Sequence, residues 1–210
     1  LVLAFAAGKG GVGKTTLTGL VAQAAARAGR KVLAVDADPQ RSLSAWADMA
    51  EGLGDSVTVV GLATPRLDRE LVRLAAGHEV VVIDCPPGLG DRAITEAALR
   101  AATLAVIPMG PSVLDVDRLR WTMDLAASTG TPSVVVLNKA RAQTRRTREV
   151  LEALDEVDDV ARLEVVVPFV ERIGDAFGRQ SAPPPAGELW QELEGLGKAL
   201  AKRGRRARGK

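Results

Sequence analysis

The chain has 210 residues, 47% hydrophobic and 26% charged, which supplies the core of one folded domain and excludes wholesale disorder. Its net charge of +2 averages two unlike parts: 21 basic residues against all 26 acids before Lys198, then seven basic residues and no acid from Lys198 to Lys210. One cysteine and one histidine exclude an internal disulfide, a four-thiolate metal centre and a multi-histidine zinc site, and no apolar run reaches the roughly 18–20 residues that span a bilayer.

The predicted elements alternate along the chain. A first strand over Leu1–Ala7 is too short, and too soon followed by glycines, to be a signal peptide. The glycine-rich segment after it leads into a helix predicted over Lys14–Ala28, which Gly29 stops. Further strands are predicted at Lys31–Asp36, Val57–Val60, Glu79–Asp84, Thr103–Ile107, Ser133–Asn138 and Leu163–Val167, all short and mostly aliphatic. Helical spacing fills Gln40–Gly52, Arg66–Ala76, Asp91–Arg100, Val113–Ala127, Gln143–Leu154 and Gly187–Lys202. Ser181-Ala-Pro-Pro-Pro-Ala-Gly187 reads as a loop before the last helix, because three prolines cannot continue a helix. This repetition predicts an α/β fold, a mostly parallel twisted sheet of about seven strands with helices on both faces. One domain is expected over residues 1–202, with a basic, flexible tail over 203–210. Such sheets bind ligands at the carboxyl ends of their strands, so the functional residues are sought in the turn after each strand.

After the first strand, Gly8-Lys-Gly-Gly-Val-Gly-Lys-Thr15 matches G-x-x-x-x-G-K-[ST] in strand–loop–helix context, which predicts a three-layer P-loop NTPase. The amides of Gly10, Gly11, Val12 and Gly13 can turn toward phosphate oxygens, and the helix start adds its dipole. Lys14 would neutralise the β- and γ-phosphates, the Thr15 hydroxyl would ligate Mg²⁺, and Thr16 beside it is expected among the nucleotide-binding residues. Lys9, a second lysine in the same loop, is costly to place near Lys14 unless a highly charged anion lies between them. The second strand ends in Asp36-Ala-Asp38-Pro-Gln-Arg-Ser42. Carboxylates two residues apart share one face and would flank Mg²⁺ and an attacking water, although Asp38 is also placed to cap a helix ahead of Pro39. Asp84 ends an apolar strand, as a Mg²⁺-holding acid beside a P-loop does, and Pro86-Pro87-Gly88 forms a stiff-then-flexible turn able to respond to a γ-phosphate. Cys85, without a second cysteine, reads as a packing residue.

Lys9-Gly-Gly-Val-Gly-Lys-Thr-Thr16, Asp36-Ala-Asp38-Pro-Gln and Val80-Val-Val-Ile-Asp84-Cys-Pro-Pro-Gly88 resemble, in order and spacing, the deviant Walker A ATPases of the ParA/MinD group. The resemblance is strongest to small ParA-type partition ATPases without an N-terminal DNA-binding domain, none being expected where the first strand opens at residue 1. It implies a nucleotide-dependent homodimer in which Lys9 reaches the nucleotide of the other subunit. It also implies that Asp38 positions the attacking water, that Asn138 meets the adenine edge, and that Pro168 and Phe169 line the base. Ile107-Pro-Met-Gly-Pro-Ser112, with Asp115, resembles the segment that shapes the dimer interface. Ala140-Arg141 follow Asn138-Lys139, so N-K-x-D is incomplete and ATP is expected over GTP. The family's R-x-x-x-x-A…G stretch is matched in part, by Arg172 and Ala176, with Gln180 where glycine is expected.

For such proteins the resemblance implies non-specific DNA binding by the ATP-bound dimer, release after hydrolysis stimulated by a ParB-like or small centromere-binding protein, and a cytoplasmic, nucleoid-associated location. The candidate DNA contacts are Arg141, Arg145 and Arg146 with Arg148 nearby, then Arg172, then Arg203, Arg205 and Arg206 in the tail; the same residues also read as solvated surface. A MinD-like membrane role is the alternative. Leu189, Leu193, Leu196 and Leu200 with Trp190 make an apolar stripe beside basic residues, suited to an anionic lipid surface or to packing on the sheet.

Overall fold

A computed structural model of the chain describes residues 1–49, 52–88, 91–112, 115–141, 143–157, 160–168 and 184–208, without the side chains of residues 116–118 and 204–208. Seven strands, β1 (Val2–Phe5), β2 (Val32–Asp36), β3 (Val57–Gly61), β4 (Val80–Asp84), β5 (Leu104–Met109), β6 (Ser133–Ala140) and β7 (Arg162–Pro168), form one sheet in the order β3-β2-β4-β1-β5-β6-β7. Every pairing is parallel, so the sheet is wholly rather than mostly parallel. The helices are α1 (Lys14–Arg27), α2 (Ser42–Ala47), α3 (Leu67–Leu74), α4 (Arg92–Ala101), α5 (Val116–Ser128), α6 (Arg145–Asp155) and α7 (Pro184–Arg208).

Strand alternation divides the core. Leu3, Phe5, Val32, Ala34, Val80 and Val82 face α1, α2 and α7, where they meet Leu17, Leu20, Trp46 and Trp190. Ala4, Ala6, Leu33, Val35, Val81 and Ile83 face α3, α4 and α5 through Leu71, Ala97, Ala98 and Leu125. Both faces of the central strands are buried, which is why these segments read as unbroken aliphatic runs. Gly29, at φ +80°, ends α1 with the Arg30 amide donating to Ala25 O and the Gly29 amide to Ala26 O, a Schellman closure. Cys85 is buried in the second core, as a packing residue should be.

Two helices depart from expectation. α2 is six residues rather than thirteen: it starts late because the Gln40 amide donates to Asp38 Oδ1 and Arg41 turns into the left-handed region, φ 56°, and it ends at Ala47, where the Met49 amide donates to Trp46 O in a tighter turn. α7 starts at Pro184, inside the proline stretch: prolines cannot continue a helix, but they suit its first turn, where amides have no helical acceptor. It then runs to Arg208, through the stretch expected to be a tail, on alanine, lysine and arginine, which favour helix and place positive charge at the dipole's negative end. Leu189, Trp190 and Leu193 are buried against α1 and β7, while Leu196 is 38% exposed. The Glu192 carboxylate accepts from the Glu164 and Val165 amides at 3.0 and 2.9 Å, closing part of the β7 edge.

Candidate functional site

The carboxyl ends of β1, β4 and β2 bring the phosphate loop and three acids together. Asp36 and Asp84 are register partners on β2 and β4, and β4 pairs with β1. From β1 the chain enters the loop at Gly8, whose amide donates to the Thr122 hydroxyl at 3.1 Å. Gly11 and Gly13 take φ +74° and +94°, and Gly13 stands immediately before α1. A Cβ on Gly13 would collide with Asn138 Nδ2, so glycine is required there for conformation and space alike. Lys14 opens α1 and is only 7% exposed. Burial lowers its pKa, opposed chiefly by the attraction of Asp84.

Asp84 is fully buried, and neither carboxylate oxygen has a hydrogen-bond partner of good geometry. Its pKa is pushed up to about 7, by burial first; the nearby Thr15 hydroxyl and Lys14 oppose that rise, and Asp36 and Asp38 add to it. An orphaned carboxylate facing a threonine hydroxyl and a lysine fits a site for a hard divalent cation. Among the described residues no cluster of three or more histidine, cysteine or acidic side chains is placed to hold a metal.

The two carboxylates of β2 have different employment. Asp36 Oδ2 accepts from the Ser44 amide at 2.7 Å and the Ser44 hydroxyl at 2.8 Å, and Oδ1 accepts from the Asp38 amide. These bonds tie the end of β2 to the first turn of α2. Asp38 is nearly buried, with Oδ1 accepting from the Gln40 amide at 2.9 Å; it closes a turn at the strand end and is not the cap of α2.

Lys9 lies at the other side of the loop, 45% exposed at its side chain, with both Asp115 oxygens 3.0 Å from its ammonium. Asp115 immediately precedes α5. Asn138, expected at adenine, donates to Val12 O at 2.7 Å, and Lys139 donates to Gly11 O at 2.8 Å. Lys139, Thr122 and Ser44 were not singled out in the sequence; lysine, threonine and serine in solvated loops look the same as these. Pro168 ends β7, and Phe169 and Arg172 lie outside the described residues.

Of the candidate DNA contacts, Arg141, Arg145, Arg146 and Arg148 are exposed around the start of α6, at the phosphate-loop end of the sheet. Arg145 pairs with Glu149 at 2.7 Å. Arg203 is exposed on α7, and Arg205 and Arg206 continue that helix. Gly197 packs on Leu1, at the opening of β1, so the basic end of α7 sits at the opposite end of the sheet from Arg141. Among the described residues no helix is long and apolar enough to cross a membrane.

A family model, the CobQ/CobB/MinD/ParA nucleotide binding domain, matches residues 3–183. The chain belongs to this family. Maintenance of carboxysome distribution protein A from Gloeobacter kilaueensis is 41% identical over 156 residues, spanning 72% of this chain and 68% of that protein. The chromosome-partitioning ATPase Soj of Thermus thermophilus is 34% identical over 135 residues, 51% of this chain and 53% of that protein. In fold, the chain superposes on the septum site-determining protein MinD of Pyrococcus horikoshii, solved with Mg-ADP, with a TM-score of 0.72 at 23% identity, covering 96% of this chain and 98% of that one. The ParA/MinD family therefore includes ATPases, and the matched domain is a nucleotide-binding one.

Proposed function

We propose that the chain is an ATP-hydrolysing switch whose ATP-bound homodimer holds DNA non-specifically and lets go after hydrolysis. The observation that carries the reading is Asp84: a buried carboxylate without a partner, beside Thr15 and Lys14, is a cost that an Mg²⁺-nucleotide removes. Lys14 and the loop amides neutralise and orient the phosphates. Thr15 and Asp84 would hold Mg²⁺, which draws charge from the β- and γ-phosphate oxygens. Asp38, whose Oδ1 is fixed by the Gln40 amide, orients a water for slow attack on the γ-phosphorus. In the dimer Lys9 leaves Asp115 and adds its charge to the other subunit's nucleotide. Release is stimulated by a ParB-like or small centromere-binding protein, and the protein works in the cytoplasm on the nucleoid.

Two observations shape the cargo. The carboxysome-distribution relative supports a second reading in which the same DNA-riding switch spaces a protein assembly rather than a DNA segment. A MinD-like membrane role is less well supported, because Leu189, Trp190 and Leu193 are already buried against the domain.

DNA binding with ATP, ADP and no nucleotide over a salt series tests the reading. Binding should require ATP and fall steeply with salt, with a log–log slope of about −0.9 per phosphate contact. Replacing Arg141 and Arg146 by glutamine, and separately Lys202 and Arg203, shows which end of the sheet carries it. Binding indifferent to nucleotide would sink the switch.

A further inference from the structure

Two consecutive residues at the end of β6 hold two consecutive carbonyls of the phosphate loop. Asn138, 3% exposed, donates to Val12 O, and Lys139 donates to Gly11 O, at 2.7 and 2.8 Å. In a regular strand neighbouring side chains point to opposite faces and could not both reach the loop. Here the strand is irregular at that point. Asn138 pairs with Val167 and Ala140 with Pro168, so Lys139 is an extra residue against β7, a bulge, with φ at 57°. Lysine adopts that left-handed conformation only at a cost, and the bulge turns its side chain to the same side as that of Asn138.

The effect on the loop comes from peptide geometry. In a trans peptide the amide of the next residue points opposite to the carbonyl. Drawing Gly11 O and Val12 O toward β6 therefore turns the Val12 and Gly13 amides the other way, with Gly11 and Gly13 supplying the positive φ values that the turn needs. Successive amides turned to one side form an anion nest.

We infer that Asn138 and Lys139 are positioning residues that preset the phosphate-binding amides of Val12 and Gly13, and that they act on the polyphosphate rather than on the base. The inference rests on the nucleotide-binding reading above and replaces the adenine contact expected of Asn138 with a different role.

The test compares Mg²⁺-ADP with Mg²⁺-tripolyphosphate, which has no base, by calorimetry on the full chain. Asn138→Ala and Lys139→Gly should each weaken both ligands by a similar factor, about tenfold for one lost charge-assisted or buried hydrogen bond. Lys139→Gly relieves the left-handed strain, so its thermal midpoint should hold or rise while affinity falls. Lys139→Arg, which keeps a donor, should recover part of the loss. Loss confined to ADP would place the action on the base and overturn the inference, as would unchanged affinities for both ligands. A wild-type chain that binds neither ligand counts against the proposed function alone. Amide NMR spectra of the ligand-free chain then decide the inference separately: the Val12 and Gly13 resonances should shift or broaden in both variants, and unchanged resonances would overturn it.

Discussion

The two ends of the sheet are built on opposite terms. At the amino ends of β1 and β4, charges meet partners: Arg30 bridges Glu79 at 3.2 Å and Glu194 at 2.6 Å, and Lys198 reaches Glu194 at 2.9 Å. These pairs rim a groove of about 590 Å³ lined by Leu1, Trp190, Gly197 and Leu200. At the carboxyl ends the fold holds a buried carboxylate with no partner, a lysine taken out of water, and left-handed backbone at Arg41 and Lys139. The unpaired carboxylate and both left-handed non-glycine residues among those described lie where a ligand is to be bound, whereas the amino end is dominated by ion pairs, although His78 Nδ1 there is buried without a partner.

Asp84 gives the sharpest way to break that contrast. Its pKa is about 7 in the folded chain and near 3.8 when unfolded, so the protonated form favours folding. Stability of the ligand-free protein should be greatest below about pH 4 as far as this group is concerned, and should fall by up to about 4 kcal/mol as pH rises through 7. Asp84→Asn, nearly the same shape without the charge, should flatten the slope and lose the Mg²⁺ requirement of nucleotide binding. Urea unfolding from pH 5 to 8 reads the first effect. A wild-type slope equal to that of the variant would mean that the carboxylate finds a partner in solution.

Most of the architecture was legible because each strand is buried on both faces and therefore written as an aliphatic run. Lys14 and Asp84 were legible for a related reason, since a motif and a strand end fix their backbone positions. The features that escaped were side-chain destinations. Asp36 and Asp38 share a spacing, yet Asp36 is committed to Ser44, eight residues on, across a turn that Arg41 makes by entering the left-handed region. Asn138 and Lys139 reach the loop through a bulge that depends on the register with β7, a non-local pairing. The length of α2 and the start of α7 were misjudged because both depend on terminal chemistry, where propensity and capping compete over a few residues.

Lys9 sharpens the comparison from the other side of the loop, being a carboxyl-end charge that does have a partner. If it must leave Asp115 to reach a second subunit, the pair opposes dimerisation. Asp115→Asn should then strengthen ATP-dependent dimer formation several-fold, since a half-exposed pair contributes up to about 1 kcal/mol. Sedimentation of both proteins with a non-hydrolysable ATP analogue measures it. A weaker dimer would show that Asp115 is needed at the interface itself.

The smallest effect is expected at the opposite end. Arg30→Met removes bridges to Glu79 and Glu194, with the arginine side chain 36% exposed and Glu79 more so, a setting in which water screens much of the attraction. Methionine keeps the aliphatic stem against the groove while deleting the charge. The variant's thermal midpoint should stay close to that of the wild type. Its nucleotide affinity should be unchanged, because the full length of the strands separates Arg30 from the phosphate loop. A drop in nucleotide affinity without a matching drop in stability would mean that the two ends communicate through the sheet, and the division of labour between them would have to be abandoned.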